Sequence, residues 1–142
     1  MCTHLDDQGS TSRTESAKLI LNVMDEVTHS TTASDGAIPL PVFLGGDLNS
    51  EPSGSAFRIL NAKGSRVQAV KDMAPWRYGN TKTFTGFQES TPKTELDHVF
   101  VDRREGVWEA RGFAVLSNRF EDGVYASDHR AVVGDVVLKV QA

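Results

Sequence analysis

The chain has 142 residues, 39% of them hydrophobic, and a formal net charge of −4. That length suits one globular domain able to remove roughly two thirds of its unfolded surface from water, and the acidic balance offers no broad basic field, so nucleic acid is a conceivable but not an indicated partner. No apolar run approaches the roughly 18 to 20 residues of a membrane span, no secretory-type leader is recognisable, and the single cysteine, Cys2, cannot form an internal disulfide; the chain is expected to be soluble, its compartment undecided.

The first motif, Thr3-His4-Leu5-Asp6, lies at the very start of the chain. Residues 12–28 predict a helix: Ser12 with Glu15 fits a capping box, and Ala17, Ile20, Leu21, Met24 and Val27 recur on one face. The segment from Ser30 to Pro41 is rich in Ser, Thr, Asp, Gly and Pro and reads as a solvated connection. Val42-Phe43-Leu44, ended by Gly45-Gly46, predicts a short buried strand from whose C-terminal end Asp47 projects. Ala56, Ile59 and Leu60 recur at helical spacing within 53–60, so strand, polar loop and helix follow one another as in a layered α/β domain. From Ala74 to Lys93 no period persists; Trp76, Tyr78, Phe84 and Phe87 punctuate a long loop of the kind that often carries function, although loop aromatics equally pack beneath their own loop. Residues 96–101 and 107–116 read as strands. The last strand begins near Ala131, with Val132, Gly134, Val136, Leu138 and Val140 alternating on one face.

Four short stretches carry the chemistry: Thr3-His4-Leu5-Asp6, Gly46-Asp47-Leu48-Asn49, Leu96-Asp97-His98 and Ser127-Asp128-His129. Phosphoester hydrolysis needs a positioned water, a group to take its proton, and donors around the phosphoryl oxygens. Asp47 and Asn49, two residues apart at a strand end, point the same way and suit the first and last of these tasks; taken alone, the motif is equally an Asx turn. His129 flanks the last strand, and a carboxylate on one ring nitrogen would fix its tautomer. Asp97 is the candidate partner. In isolation Asp97 is more often a solvated loop acid and His129 a histidine bonded to backbone, and only their joint occurrence favours the functional reading. Asp128 is a candidate ligand for a divalent cation. His4 would donate to a phosphoryl oxygen or leaving group, the alternative being an exposed histidine near a terminus. Asp6 and Asp7 read as turn or helix-entry residues. Lys63, Arg66, Lys71, Arg77 and Lys82 form a local basic stretch that reads as a solvated face rather than a nucleic-acid site.

In order and separation, these stretches, with Gly45-Gly46-Asp47-Leu48-Asn49-Ser50-Glu51-Pro52 and Leu96-Asp97-His98-Val99-Phe100 written in full, resemble the endonuclease/exonuclease/phosphatase superfamily. Thr83-Phe84-Thr85-Gly86-Phe87 is similar to that family's substrate-side loop. The resemblance implies an α/β (α+β) chain forming part of a four-layer α/β/β/α sandwich with mainly antiparallel or mixed sheets. It also implies phosphoester cleavage with Mg²⁺ or Mn²⁺, by direct attack of an activated water. Asp47 would orient that water, Asn49 bind the phosphoryl group, His129 pair with Asp97, Asp128 lie at the metal side and His4 contact the phosphate.

The resemblance extends over nearly the whole chain but only over the C-terminal half of the family's domain, so residues 1–142 are expected to be a single partial domain. The family's metal-ligating glutamate and its neighbouring asparagine have no counterpart here, since Glu15 is read as a capping residue and Glu51 follows the Asp47 motif. A truncated gene product or a fragment is therefore expected, with an exposed sheet face, instability and self-association as consequences. The alternative function is a non-catalytic remnant that binds phosphate or a partner. Whether the phosphoester is a small molecule, a lipid headgroup or a nucleic acid is left open.

Overall fold

The computed structural model describes residues 1–30, 40–88 and 94–139. Most of the connection expected at 30–41, the end of the aromatic loop (89–93) and Val140 lie outside the described residues. In chain order the elements are β1 (Cys2–His4), α1 (Ser10–Ser30), β2 (Phe43–Asp47), α2 (Ser55–Leu60), β3 (Val67–Ala69), α3 (Val70–Met73), β4 (Arg77–Gly79), β5 (Asp97–Asp102), β6 (Trp108–Val115) and β7 (Val132–Leu138).

Helix α1 starts two residues earlier than its sequence pattern suggests. The Gln8 backbone N–H donates to Asp6 Oδ1 at 2.9 Å, Arg13 N–H to the Gly9 carbonyl, and the Thr14 hydroxyl to the Ser10 carbonyl. Ser12 therefore sits inside the helix and Glu15 pairs with Lys18 at 2.7 Å, so the expected capping box does not form. The buried stripe is Ala17, Ile20, Met24 and Thr28, while Val27 is 52% exposed. Thr28, one turn beyond Met24, takes the inward place assigned to Val27 because its hydroxyl donates back to the Met24 carbonyl and so costs no unsatisfied polar group.

This stripe, with Ala56, Phe57 and Leu60 of α2, packs on Leu44, Val67, Ala69 and Phe100 of a four-stranded sheet ordered β1-β2-β5-β3. β1 runs parallel to β2, and β5 is antiparallel to both β2 and β3. The two glycines lie within β2 rather than ending it. A Cβ on Gly46 would stand 1.9 Å from the Thr3 carbonyl oxygen, so only glycine lets β1 approach this closely.

A second sheet, β4-β6-β7, is parallel at β4–β6 and antiparallel at β6–β7, with a register shift between Ala110 and Gly112. It meets the first sheet where Gly134 of β7 faces Val99 of β5 and Val70 of α3; a Cβ there would lie 3.3 Å from each valine. The chain is thus a mixed α/β fold with two sheets of mixed strand orientation, as its sequence implies. β3, α3 and β4 fall in regions where the sequence carries no readable period; each spans only three or four residues, too short to establish one. Of the basic stretch, Arg66 pairs with Asp102 and Asp25, Lys71 with Glu95 and Lys82 with Glu51, so most of that charge is neutralised locally.

Candidate active site

Strand register builds the first half of the site. His4 stands opposite Asp47 across β1 and β2, and Asp47 opposite Asp97 across β2 and β5. Paired residues project from the same sheet face, which sets three polar side chains in a row. His4 Nε2 lies 3.4 Å from Asp47 Oδ2, with the histidine side chain 75% exposed and the aspartate largely covered.

The second half arrives on the loop entering β7 and is tied to the first by two fully buried threonines. Thr85 donates from its N–H (2.7 Å) and hydroxyl (2.8 Å) to the Asp128 carbonyl. Thr83 accepts Arg130 N–H at its carbonyl, and its Oγ1 accepts the N–H groups of Leu96 and Asp97. Buried Asn118 completes the tie, its Nδ2 donating to Thr85 Oγ1 at 2.8 Å and to the Ser127 carbonyl at 2.7 Å. Nothing in the local sequence around Asn118 distinguishes it from an ordinary loop asparagine, so sequence reasoning missed it.

Held in this way, His129 Nδ1 lies 2.7 Å from Asp97 Oδ2 and its Nε2 lies 3.8 Å from Asp47 Oδ2. The Phe84 ring leans on the imidazole at 5.0 Å between centroids. Asp47 and Asn49 do not act as alternate residues of one strand. Asn49 has φ +45°, its N–H donates to Asp47 Oδ1 at 2.7 Å, and its Nδ2 donates to the Leu5 carbonyl at 2.8 Å. The motif is therefore an Asx turn that also faces the cleft, because an amide NH₂ carries a second hydrogen beyond the one given to Leu5.

The six expected residues His4, Asp47, Asn49, Asp97, Asp128 and His129 all line one cleft of about 750 Å³. Asp6, Asp7 and Phe84 are among the other residues that line it. Burial pushes the Asp47 carboxyl above the ordinary aspartate range, opposed by the Asn49 N–H and reinforced by the neighbouring Asp97 charge. Burial alone would lower His129, but its hydrogen bond to Asp97 and the surrounding carboxylates raise it on balance. Asp47, Asp97 and His129 each offer an atom within 4.8 Å of the others. Two carboxylates and an imidazole suit a divalent cation such as Mn²⁺, with Mg²⁺ served by the oxygens. Asp128 lines the same cleft but stands outside that trio.

The profile of the Endonuclease/Exonuclease/phosphatase family matches residues 21–129. Among solved structures, the Bacteroides thetaiotaomicron VPI-5482 mannosyl-6-phosphatase Bt3783 superposes with a TM-score of 0.80 at 25% identity, covering 96% of this chain and 50% of that one. An endonuclease/exonuclease/phosphatase family protein from the same species gives 0.78 at 24% identity over 98% of this chain and 49% of its own. D. rerio TDP2, complexed with a single-strand DNA product, gives 0.66 at 16% over 96% and 55%. The chain spans about half the length of the solved structures it matches. No curated protein matches it.

Proposed function

Because the chain belongs to the endonuclease/exonuclease/phosphatase family, we propose that it carries the water-positioning and phosphate-binding part of a metal-dependent phosphoesterase. The observation that supports this most is the convergence of Asp47, Asn49, Asp97 and His129, drawn from three separated stretches of chain, on one cleft.

In this reading Asp47 orients the attacking water and accepts its proton, a task suited to a carboxyl raised above its usual range by burial. Asp97 accepts from His129 Nδ1 and leaves Nε2 directed at the cleft, where the protonated ring, favoured by the surrounding carboxylates, donates to a phosphoryl oxygen. The free hydrogen of Asn49 Nδ2 makes a second such contact and exposed His4 a third. Of the Asp47, Asp97 and His129 group, the two carboxylates would hold a divalent cation while His129 faces the phosphate, with Asp128 beside them; the cation would supply charge neutralisation at the phosphoryl group and a lowered pKa for bound water. No covalent intermediate is required. Residues 1–142 act as one partial domain, and the exposed Trp76, Tyr78 and Val133 on the β4-β6-β7 sheet support self-association of the chain, which light scattering measures directly.

A compact phosphoester fits better than a long polyanion, because Asp6, Asp7 and Asp128 give the rim of the cleft a negative field. Turnover of p-nitrophenyl phosphate and bis-p-nitrophenyl phosphate with Mn²⁺ tests the proposal. Loss of activity in both Asp47→Ala and His129→Ala supports it, and undiminished rates in both end it. Phosphate binding without turnover in the unaltered chain leaves only a non-catalytic phosphate-binding domain.

A further inference from the structure

The segments that frame the candidate active site also frame a second cleft of about 250 Å³. Asp97 lines the first cleft and Glu95, two residues earlier, lines the second. Phe84 lines the first, while Asn80 and Thr81 line the second. Lys71 of α3 and Arg77 and Tyr78 of β4 form the opposite wall, with Phe113 of β6 beside them.

The walls are fixed before any ligand arrives. Asn80 donates from its backbone N–H (2.8 Å) to the Val115 carbonyl, and its Nδ2 points at the same oxygen at 3.4 Å. Gly79 has φ +81°, and a Cβ there would come within 2.3 Å of that oxygen, so the turn is packed directly on β6. Glu95, the acid of the cleft, already accepts from Lys71 Nζ and lies 3.8 Å from His98 Nδ1. Lys71 in turn lies 4.9 Å from the centroid of the Phe57 ring, so it is held in place with donors to spare. Arg77 is exposed and has no carboxylate partner among the described residues. Two cations against one neutralised acid leave this cleft net positive on a chain of net charge −4.

We propose that this cleft binds an organic phosphate, with the Arg77 guanidinium and the Lys71 ammonium on the phosphate and the ring of Phe113, paired with Arg77 across β4 and β6, against the group that carries it. A guanidinium presents paired N–H donors that match phosphate oxygens, and the hydroxyl of Thr81 adds a donor at the same mouth. The volume falls below that of a typical whole-ligand pocket of about 300 Å³ or more, which suits one phosphate and one ring. The proposal needs neither the metal nor turnover, so it stands or falls separately from the hydrolytic reading.

The test is an amide NMR titration of the full chain, without added metal, using phenyl phosphate in one arm and inorganic phosphate in the other. Saturable shifts are expected at Tyr78, Asn80 and Thr81, tighter for phenyl phosphate than for inorganic phosphate. Arg77→Ala should weaken binding at least tenfold, Arg77→Lys should restore part of it, and Asn49→Ala should leave it unchanged. Shifts confined to Leu48, Asn49 and Asp128, or equal affinity in Arg77→Ala, overturn the site; equal affinity for the two phosphates overturns the role given to the Phe113 ring.

Discussion

His129 and Asp97 are 32 residues apart in sequence, yet Nδ1 of one lies 2.7 Å from Oδ2 of the other. An ionised carboxylate only accepts, so the bond fixes the proton on Nδ1 and leaves Nε2 free for the cleft. Asp97→Asn keeps the shape and removes the charge that raises the imidazole. The His129 ring should then titrate at lower pH, read by histidine NMR without added metal, and turnover should fall by about 10²-fold or more. An unchanged ring titration would show that the pair is only a contact.

Asp47 shifts in the same direction as His129, but for a carboxyl that direction disfavours the charged form. Its folded pKa is raised, chiefly by burial, so the stability it contributes is fully present below its unfolded value and is lost as pH rises through the folded one. At neutral pH the ionised carboxylate is thus a net cost to folding, repelled further by Asp97. Asp47→Asn retains an oxygen to accept the Asn49 N–H and relieves that cost. Thermal melts at pH 7 without metal should give a midpoint equal to or above that of the unaltered chain, while phosphodiester turnover disappears. A clear drop in the midpoint would place Asp47 among the residues that hold the fold rather than those poised against it.

The residues that the sequence makes legible are those whose signal is local. Asp47 after an apolar run, Ser127-Asp128-His129 before an alternating strand, and the 3.6-residue stripe of α1 all announce themselves within ten residues. What escapes is what long-range pairing decides. The placement of His4 beside Asp47 depends on β1–β2 register, and the joining role of Thr83, Thr85 and Asn118 depends on side chains reaching across 9 to 43 residues. Asn49 reaches the cleft through a positive φ and a bond to the Leu5 carbonyl rather than through strand alternation, a direction that its spacing from Asp47 does not reveal.

The closeness of β1 to β2 makes a paired prediction at adjacent glycines. A Cβ at Gly46 would overlap the Thr3 carbonyl at 1.9 Å, and φ there is +149°, whereas a Cβ at Gly45 meets the His98 carbonyl at an ordinary 3.9 Å. Gly46→Ala should cost about 3 kcal/mol by forcing the strands apart, and should separate His4 from Asp47. Gly45→Ala should cost less than about 1 kcal/mol. Urea unfolding of the two variants checks the difference, and equal losses would mean that β1 is not held against β2 in solution.

Asp102, at the end of β5 opposite Asp97, is a carboxyl expected to contribute to the acid limit of the fold. Its carboxylate is almost fully buried at the end of β5 and is surrounded by Arg104 Nη2 at 2.8 Å, Arg104 N–H at 3.0 Å and Arg66 Nη2 at 3.2 Å. Burial would raise it, but these hydrogen bonds and charges together hold it below the ordinary value of 3.8. A depressed carboxyl contributes stability that is fully present above the unfolded value, declines below it, and is gone once pH has passed the folded value. Asp102→Asn leaves two arginines facing a neutral group and should cost about 3 to 5 kcal/mol at pH 7. Measured against pH by urea unfolding, the variant should also lose less stability than the unaltered chain as pH falls below 3.8, because the carboxylate that drives that part of the loss is absent. Parallel acid limbs in the two proteins would assign the acid sensitivity to other carboxyls.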